Sequence, residues 1–381
     1  MIYYLILAVV LGCAVGIKSK EQSERKGLLA LVVAFIAIVC GLRDMLGGYD
    51  NYIYGEIFDA TARDLRNGVD FFATAAMTWE HSERGYAVYT VLMAYLTSNR
   101  YIYLLITALL FYSVLYVYLR KFSRYPFIAL FFFLCLYYFF TWVYIRQILA
   151  VLIVTAAIPY AVKRKPIPFF AIVAGGVLFH SSAIMFAPVY FVANVKFRKD
   201  QLIPIFFFAF VLGLTPVASW LVGTFGTPIN EGKAGETMEY VGSTRLDYIM
   251  EALFFIIIIY SRYTKLQLNK TTLCLMNIVF LFALTLLMFS RFMNGGRLTW
   301  CYIIAASCMM PEVLIQAGKD VWIKWVSYVI MIFLYLRILS AWGYQLSPYK
   351  TFLTNGVRAY DPIWEQYEYD LRYAEDKLYK W

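Results

Sequence analysis

The chain has 381 residues, of which 62% are hydrophobic, 19% aromatic and only 15% charged, with a net charge of +10. Soluble domains carry roughly 25% charged residues, so this composition excludes an ordinary soluble protein. The basic excess forms no patch interleaved with exposed aromatics, which sets nucleic acid aside; it fits Lys and Arg placed in cytoplasmic loops to fix topology.

The apolar runs are long and extend from end to end. The first, Ile2–Ile17, has no basic stretch before it and no evident cleavage site, so it reads as a retained span and not a signal peptide. Spans are expected near 2–17, 28–42, 101–119, 126–141, 142–162, 167–180, 181–193, 201–223, 246–262, 271–290, 298–317 and 321–342. The expectation is an all-α polytopic integral membrane protein of about 12 transmembrane helices, forming a single domain over 1–381. Basic segments at Lys18–Lys26, Arg120–Arg124, Lys163–Lys165, Lys196–Lys199, Arg262–Lys270 and Lys319–Lys324 should all be cytoplasmic. That holds only if Tyr86–Thr97 does not cross and is instead re-entrant or interfacial. Both termini, the loop 43–97, the Gly- and Thr-rich loop 224–244 and the tail 343–381 then lie outside.

The segment 43–85 reads as a polar loop holding Arg43, Asp50, Glu56, Asp59, Glu80, His81, Glu83 and Arg84. Asp59, Asp64 and Asp70 read as a hydrated face, and His81 as an ordinary loop residue. Arg43, Asp50, Glu83, Arg146, His180, Arg291 and Arg297 all fall near outer ends of spans. Arginine is disfavoured there by the positive-inside rule, and an anionic ligand accounts for it. Arg146 and Gln147 lie inside an apolar run, where an arginine costs about 2.5–3.5 kcal/mol at a helix centre. Such an arginine pairs with a carboxylate, snorkels to the interface or meets a ligand. Arg291 and Arg297 flank Gly295-Gly296; they suit either interfacial anchoring or a bidentate grip on a diphosphate. His180, before two serines, is an acid, a base, an orienting donor or a hydrogen-bonded core histidine. Asp50 and Glu83 are the best placed carboxylates to take a proton from a hydroxyl, the alternative being simple solvation. The six cysteines all lie inside apolar runs and read as small core residues; with two histidines in the chain, a metal centre is not expected.

In order, GLRDMLGGYDNYIY, SERGYAVYTVL, IRQILAVLIVTAA, HSSAIMFAPVY and GGRLTWCYIIAASCMMP resemble the motif series of the EpsG-type Wzy polysaccharide polymerases over nearly the whole chain. In that series an Arg–(Gly/Thr)–Asp–Tyr region precedes Glu–x–Gly–Tyr, an Arg–Gln pair, His–x–Ser–Ala and a late Arg-led helix. The usual Gly-Thr-Asp is Gly48-Tyr49-Asp50 here, and Arg84 stands where a proline or small residue is commoner. The resemblance implies a GT-C-like glycosyltransferase architecture in the bacterial cytoplasmic membrane, with its site facing outward. It implies polymerisation of oligosaccharide repeat units carried on undecaprenyl diphosphate: an acceptor hydroxyl attacks the anomeric carbon and the lipid diphosphate leaves. Glu83, Asp50 or His180 would serve as base, and Arg43, Tyr86, Arg146, Gln147, Arg291 and Arg297 would bind substrate, without metal or other cofactor. A chain-length regulator and a flippase are the protein partners implied. An O-antigen-ligase-like transferase shares this chemistry; a transporter would instead show charges along a mid-membrane path and internal repeats.

Overall fold

The computed structural model describes residues 1–79, 83–221, 223–224, 242–316, 321–356 and 375–378. Among them no strand occurs, apart from an isolated antiparallel bridge between Arg43 and Thr351. His81 and Glu80 lie outside the described residues, as do most of 224–244 and of the tail beyond Gly356. The helices are α1 Ile2–Gly16, α2 Lys26–Gly41, α3 Tyr49–Arg66, α4 Ala75–Thr78, α5 Arg84–Leu96, α6 Arg100–Phe122, α7 Pro126–Tyr137, α8 Ile145–Thr155, α9 Ile158–Val162 and α10 Pro166–Val177. They continue with α11 Val189–Val192, α12 Lys199–Gly213, α13 Val217–Leu221, α14 Leu246–Arg262, α15 Lys270–Met288, α16 Ile303–Gln316, α17 Val321–Ala341 and α18 Gly343–Leu346.

Five helical stretches among the described residues are long and apolar enough to cross a membrane: Arg100–Phe122, Ile145–Val162, Lys270–Met288, Gly295–Gln316 and Val321–Ala341. Other expected spans resolve into shorter apolar helices, such as Ile2–Gly16, Lys26–Gly41 and Pro166–Val177. Several runs are interrupted by 3-10 turns at Tyr138–Trp142, Ser181–Phe186 and Gly295–Tyr302. A 3-10 turn changes the backbone hydrogen-bond partners and redirects the chain, so side-chain register shifts at these places; the last of them opens the stretch Gly295–Gln316, itself long enough to cross.

The chain forms two compact units. The first comprises Met1–Val117, Phe131–Leu149 and Val329–Trp381. Here the expected polar loop is largely a helix, and that reading is corrected. Tyr52, Gly55, Phe58, Asp59 and Ala62 of α3 are buried, while Glu56, Arg63 and Arg66 are exposed. This three-to-four spacing is a helical stripe hidden inside a polar composition. Ala76 and Met77 of α4 and Ala87 and Val91 of α5 form a small core closed by Ile57 and Leu65 of α3. α5 has 13 residues and so is about 20 Å long, too short for the roughly 30 Å hydrocarbon layer.

Of the three acids expected to form a hydrated face, Asp59 is buried and Asp64 partly buried, while Asp70 is exposed as expected. Asp59 is buried and accepts from Arg100 Nε at 2.8 Å. Asp64 accepts from the Ala75 amide at 2.7 Å, and Asp70 caps the 3-10 turn at the Phe72 amide, 2.9 Å away. The turn before α3 needs its glycines: Gly47 and Gly48 have φ of 120° and 112°. A Cβ on Gly47 would lie 2.8 Å from Asn51 Nδ2. The C-terminal segment is stitched to this turn, with Asp44 and Gly47 amides donating to the Lys350 and Gln345 carbonyls at 2.9 and 3.1 Å. Lys350 and Lys377 both reach the buried Asp44, at 2.9 and 3.1 Å.

The second unit comprises Tyr118–Leu130 and Ala150–Tyr328. Its centre is α15, against which α9, α11, α12, α14 and α16 pack. Gly213 makes close packing possible: a Cβ there would sit 2.3 Å from the Leu287 carbonyl oxygen. Small residues at such crossings let helix backbones approach where lipid offers no hydrophobic drive.

Removing one partner of a buried ion pair leaves an uncompensated charge and costs about 3–5 kcal/mol. Asp59→Asn should therefore lower the unfolding temperature of the detergent-purified protein markedly, and Asp59→Leu combined with Arg100→Met should recover most of the loss. Equal stability of Asp59→Asn and the parent in a thermal unfolding assay would refute the structural role of this pair.

Candidate functional site

Arg146 is the second residue of α8, directly after the 3-10 break at Tyr138–Trp142. A cation in the first turn opposes the helix dipole, so this position adds to the cost of burial. Glu83 offsets it. Its carboxylate meets Arg146 Nη1 at 2.9 Å, with side chains only 8% and 15% exposed. Glu83 is the residue before α5 and makes no side-chain cap to that helix. The carboxylate instead serves a partner 63 positions away.

Aromatic rings complete the surroundings. Arg146 Nε donates to the Tyr54 hydroxyl at 3.1 Å, and the guanidinium lies 5.2 Å from the Trp79 ring centre and 5.6 Å from that of Tyr54. Tyr86 packs edge-on against Tyr54 and is itself tied to the Tyr103 hydroxyl at 2.7 Å. Phe58 stacks on Tyr103 at 4.4 Å between ring centres. Sequence reasoning singled out Glu83, Tyr86 and Arg146, and the structure brings these three together. It missed Tyr54 and Trp79. Trp79 had a signal, standing four residues before Glu83; Tyr54 became readable only once α3 is a helix.

The remaining expected residues of this unit surround that pair at one remove. Gln147 is buried beside Arg146 on α8. Asp50 lies in the first turn of α3, where the helix dipole favours an anion. Arg43 is 2% exposed. It donates to the carbonyls of Cys40, Leu46 and Trp142 at 2.6, 3.1 and 2.7 Å, and to Asn51 Oδ1 at 3.4 Å. It thereby holds both the Gly47-Gly48 turn that aims Asp50 and the break that precedes Arg146.

The second unit contains the other three. His180 caps the 3-10 turn Ser181–Phe186: its Nδ1 accepts from the Ser182 amide at 3.2 Å and lies 2.8 Å from Ser182 Oγ. The helix before it approaches closely at Gly176, where a Cβ would meet Val154 Cγ1 at 2.6 Å. Arg291 donates to the carbonyls of Gly242 and Leu214, each at 3.3 Å. Arg297 lies 5.7 Å from the Trp300 ring centre, inside the Gly295–Tyr302 break. Gly295 and Gly296 are both required sterically, since Cβ atoms would reach the Phe289 oxygen at 2.2 Å and the Tyr248 ring at 2.9 Å. A third arginine, absent from the sequence expectation, joins this turn: Arg245 donates to the Met293 carbonyl at 3.2 Å while paired to both oxygens of Asp247.

The described residues thus form an all-helical, apolar bundle in which a carboxylate–guanidinium pair is set among aromatic side chains. Comparison makes this specific. The chain belongs to the EpsG family, whose family model matches residues 26–351. Membership carries a polysaccharide-polymerase type of role. Neither the characterised proteins nor the solved structures compared with this chain give a match.

Residues in one contact network couple by about 0.5–3 kcal/mol in double-mutant cycles. Unfolding free energies of Glu83→Gln, Arg146→Gln and the double variant should give a coupling of about 2 kcal/mol. A cycle that closes to within about 0.3 kcal/mol, the additivity seen for independent sites, would show that the pair does not interact.

Proposed function

We propose that this protein is a membrane glycosyltransferase that polymerises oligosaccharide repeat units carried on undecaprenyl diphosphate, at the outer face of the bacterial cytoplasmic membrane. The observation that carries the reading is the Glu83–Arg146 pair, 2.9 Å apart and backed by Tyr54 and Trp79, in a chain of the EpsG family.

The chemistry needs two things. The leaving diphosphate needs cations, and arginine supplies them without a metal because its planar fork matches phosphate oxygens. The attacking hydroxyl needs a base. In the resting site Arg146 holds Glu83. An incoming diphosphate offers Arg146 a second anion, and the guanidinium's partial transfer to it frees a carboxylate lone pair for the acceptor hydroxyl. The hydroxyl proton then passes to Glu83 and the acceptor oxygen bonds to the anomeric carbon. The bond from that carbon to the phosphate oxygen breaks, with its electrons remaining on undecaprenyl diphosphate. Trp79 and Tyr54 suit a sugar, whose apolar face packs on aromatic rings. Asp50 and His180 are the alternative bases. Arg291 and Arg297 keep their assignment as cations for the diphosphate, with Gln147 and Tyr86 as supporting groups and Arg43 acting through the turn it holds. A chain-length regulator and the flippase that delivers substrate are the proposed protein partners.

General acid–base residues contribute roughly 10²–10⁴-fold. Purified protein given a synthetic lipid-diphosphate repeat unit, with chelator and no nucleotide sugar, should yield a ladder of one-repeat steps on a gel. Glu83→Gln should slow laddering by at least about 10²-fold, while Asp50→Asn and His180→Gln, assayed alongside, rank the alternatives. Glu83→Gln laddering at the parental rate would remove Glu83 from the chemistry. Transbilayer movement of the lipid in liposomes without any ladder would point to transport instead.

A further inference from the structure

The second unit has a groove unconnected with the reaction proposed above. It lies where α12 begins and α14 ends, and its volume is about 580 Å³, within the range of roughly 300–1,000 Å³ typical of ligand pockets. Its lining divides by chemistry. Lys196, Arg198 and Lys199 stand on one side, and Leu266, Leu268 and Leu273 on the other. The one acid, Asp200, is bound to Arg198, with Nε 3.1 Å from its carboxylate, so the rim keeps a net positive charge. The walls are joined: Tyr263 donates to the Phe197 carbonyl at 2.6 Å, and the Lys199 ammonium sits 4.5 Å from the Tyr260 ring centre.

What leads away from the groove is apolar and uncovered. Along α12, Ile203 and Phe207 follow Lys199 at one and two turns and are 53% and 65% exposed. Along α14, Ile257 and Leu253 precede Tyr260 at one and two turns and are 61% and 40% exposed. Both helices pack on α15. A cationic cup opening onto two apolar helix flanks matches an amphiphile with an anionic head. The groove is built from Lys196–Lys199 and Arg262–Lys270, basic segments of the kind retained on the cytoplasmic side, where anionic lipids attract clusters of Lys and Arg.

We propose that this groove is a binding site for the headgroup of an anionic glycerophospholipid, held by Lys196, Arg198 and Lys199, with its acyl chains along α12 and α14. The test uses full-length protein in a zwitterionic detergent, titrated with dioleoylphosphatidylglycerol or dioleoylphosphatidylcholine and read by native mass spectrometry. One phosphatidylglycerol should bind in preference to phosphatidylcholine. Lys196→Gln and Arg198→Gln, both at exposed positions, should each weaken it about fivefold, the equivalent of roughly 1 kcal/mol per basic residue beside anionic lipid. Leu266→Gln with Leu268→Gln should weaken it as well, while the unfolding temperature in lipid-free detergent stays unchanged. Equal binding of the two lipids, or unchanged phosphatidylglycerol binding in both charge variants, would overturn the proposal. So would complete displacement by millimolar inorganic phosphate, which would make the groove a plain anion site.

Discussion

A guanidinium cannot be left unpaired in an apolar bundle, and the first unit is organised by how it meets that constraint three times. Arg100 is neutralised by Asp59 where α6 meets α3. Arg43 is instead met by three backbone carbonyls, those of Cys40, Leu46 and Trp142. Arg146 is met by Glu83 and a phenol, and its flat faces by aromatic rings. Each solution ties together segments far apart in sequence. The bundle's arrangement around α3 therefore follows from charge pairing as much as from packing, because each missing partner would cost several kcal/mol.

The same constraint explains where the motif residues fall. Arg146 follows the Tyr138–Trp142 break, His180 caps the Ser181–Phe186 break, and Arg297 lies within the Gly295–Tyr302 break. Asp50 follows a turn of two glycines with positive φ, and Glu83 ends the stretch before α5. A continuous transmembrane helix consumes its own backbone polar groups and presents side chains to lipid or to other helices. A break releases carbonyls and amides and changes the direction of the chain. That is how a polar side chain in an apolar bundle acquires both a reason to stay buried and a fixed aim.

Much of this was legible beforehand, and the limits were physical. The all-helical membrane class followed from apolar runs, which signal through length alone. Arg146 is conspicuous as a charge inside an apolar run, whereas Glu83 is one of several loop carboxylates and Tyr86 is singled out by the family motif alone. α3 reads as loop by its polar average composition; the informative quantity is the spacing of Tyr52, Gly55, Phe58 and Ala62. Asp59 reads as a solvated acid because its partner Arg100 is 41 residues away, and nothing local announces such a pair. Arg43 reads as a free cation in sequence, yet its partners are backbone carbonyls, which every residue has and which no sequence pattern distinguishes.

The Arg100–Asp59 and Arg146–Glu83 pairs of the first unit differ in how closed their surroundings are. Arg100 and Asp59 are 2% and 5% exposed, and the Arg100 side chain is hemmed in further by Gly55, where even a Cβ would meet its Cδ at 3.0 Å. That pair is closed off from solvent. Arg146 and Glu83 are 15% and 8% exposed. Arg146 sits at the unfavourable end of its helix, and Glu83 is a helix-preceding residue that forgoes the cap open to it. The exchange of partners proposed for Arg146 draws on both arrangements: a cation held where its helix does not favour it, against a carboxylate that makes no cap to the helix it precedes, would give way to an anionic ligand at lower cost than one locked in a closed core.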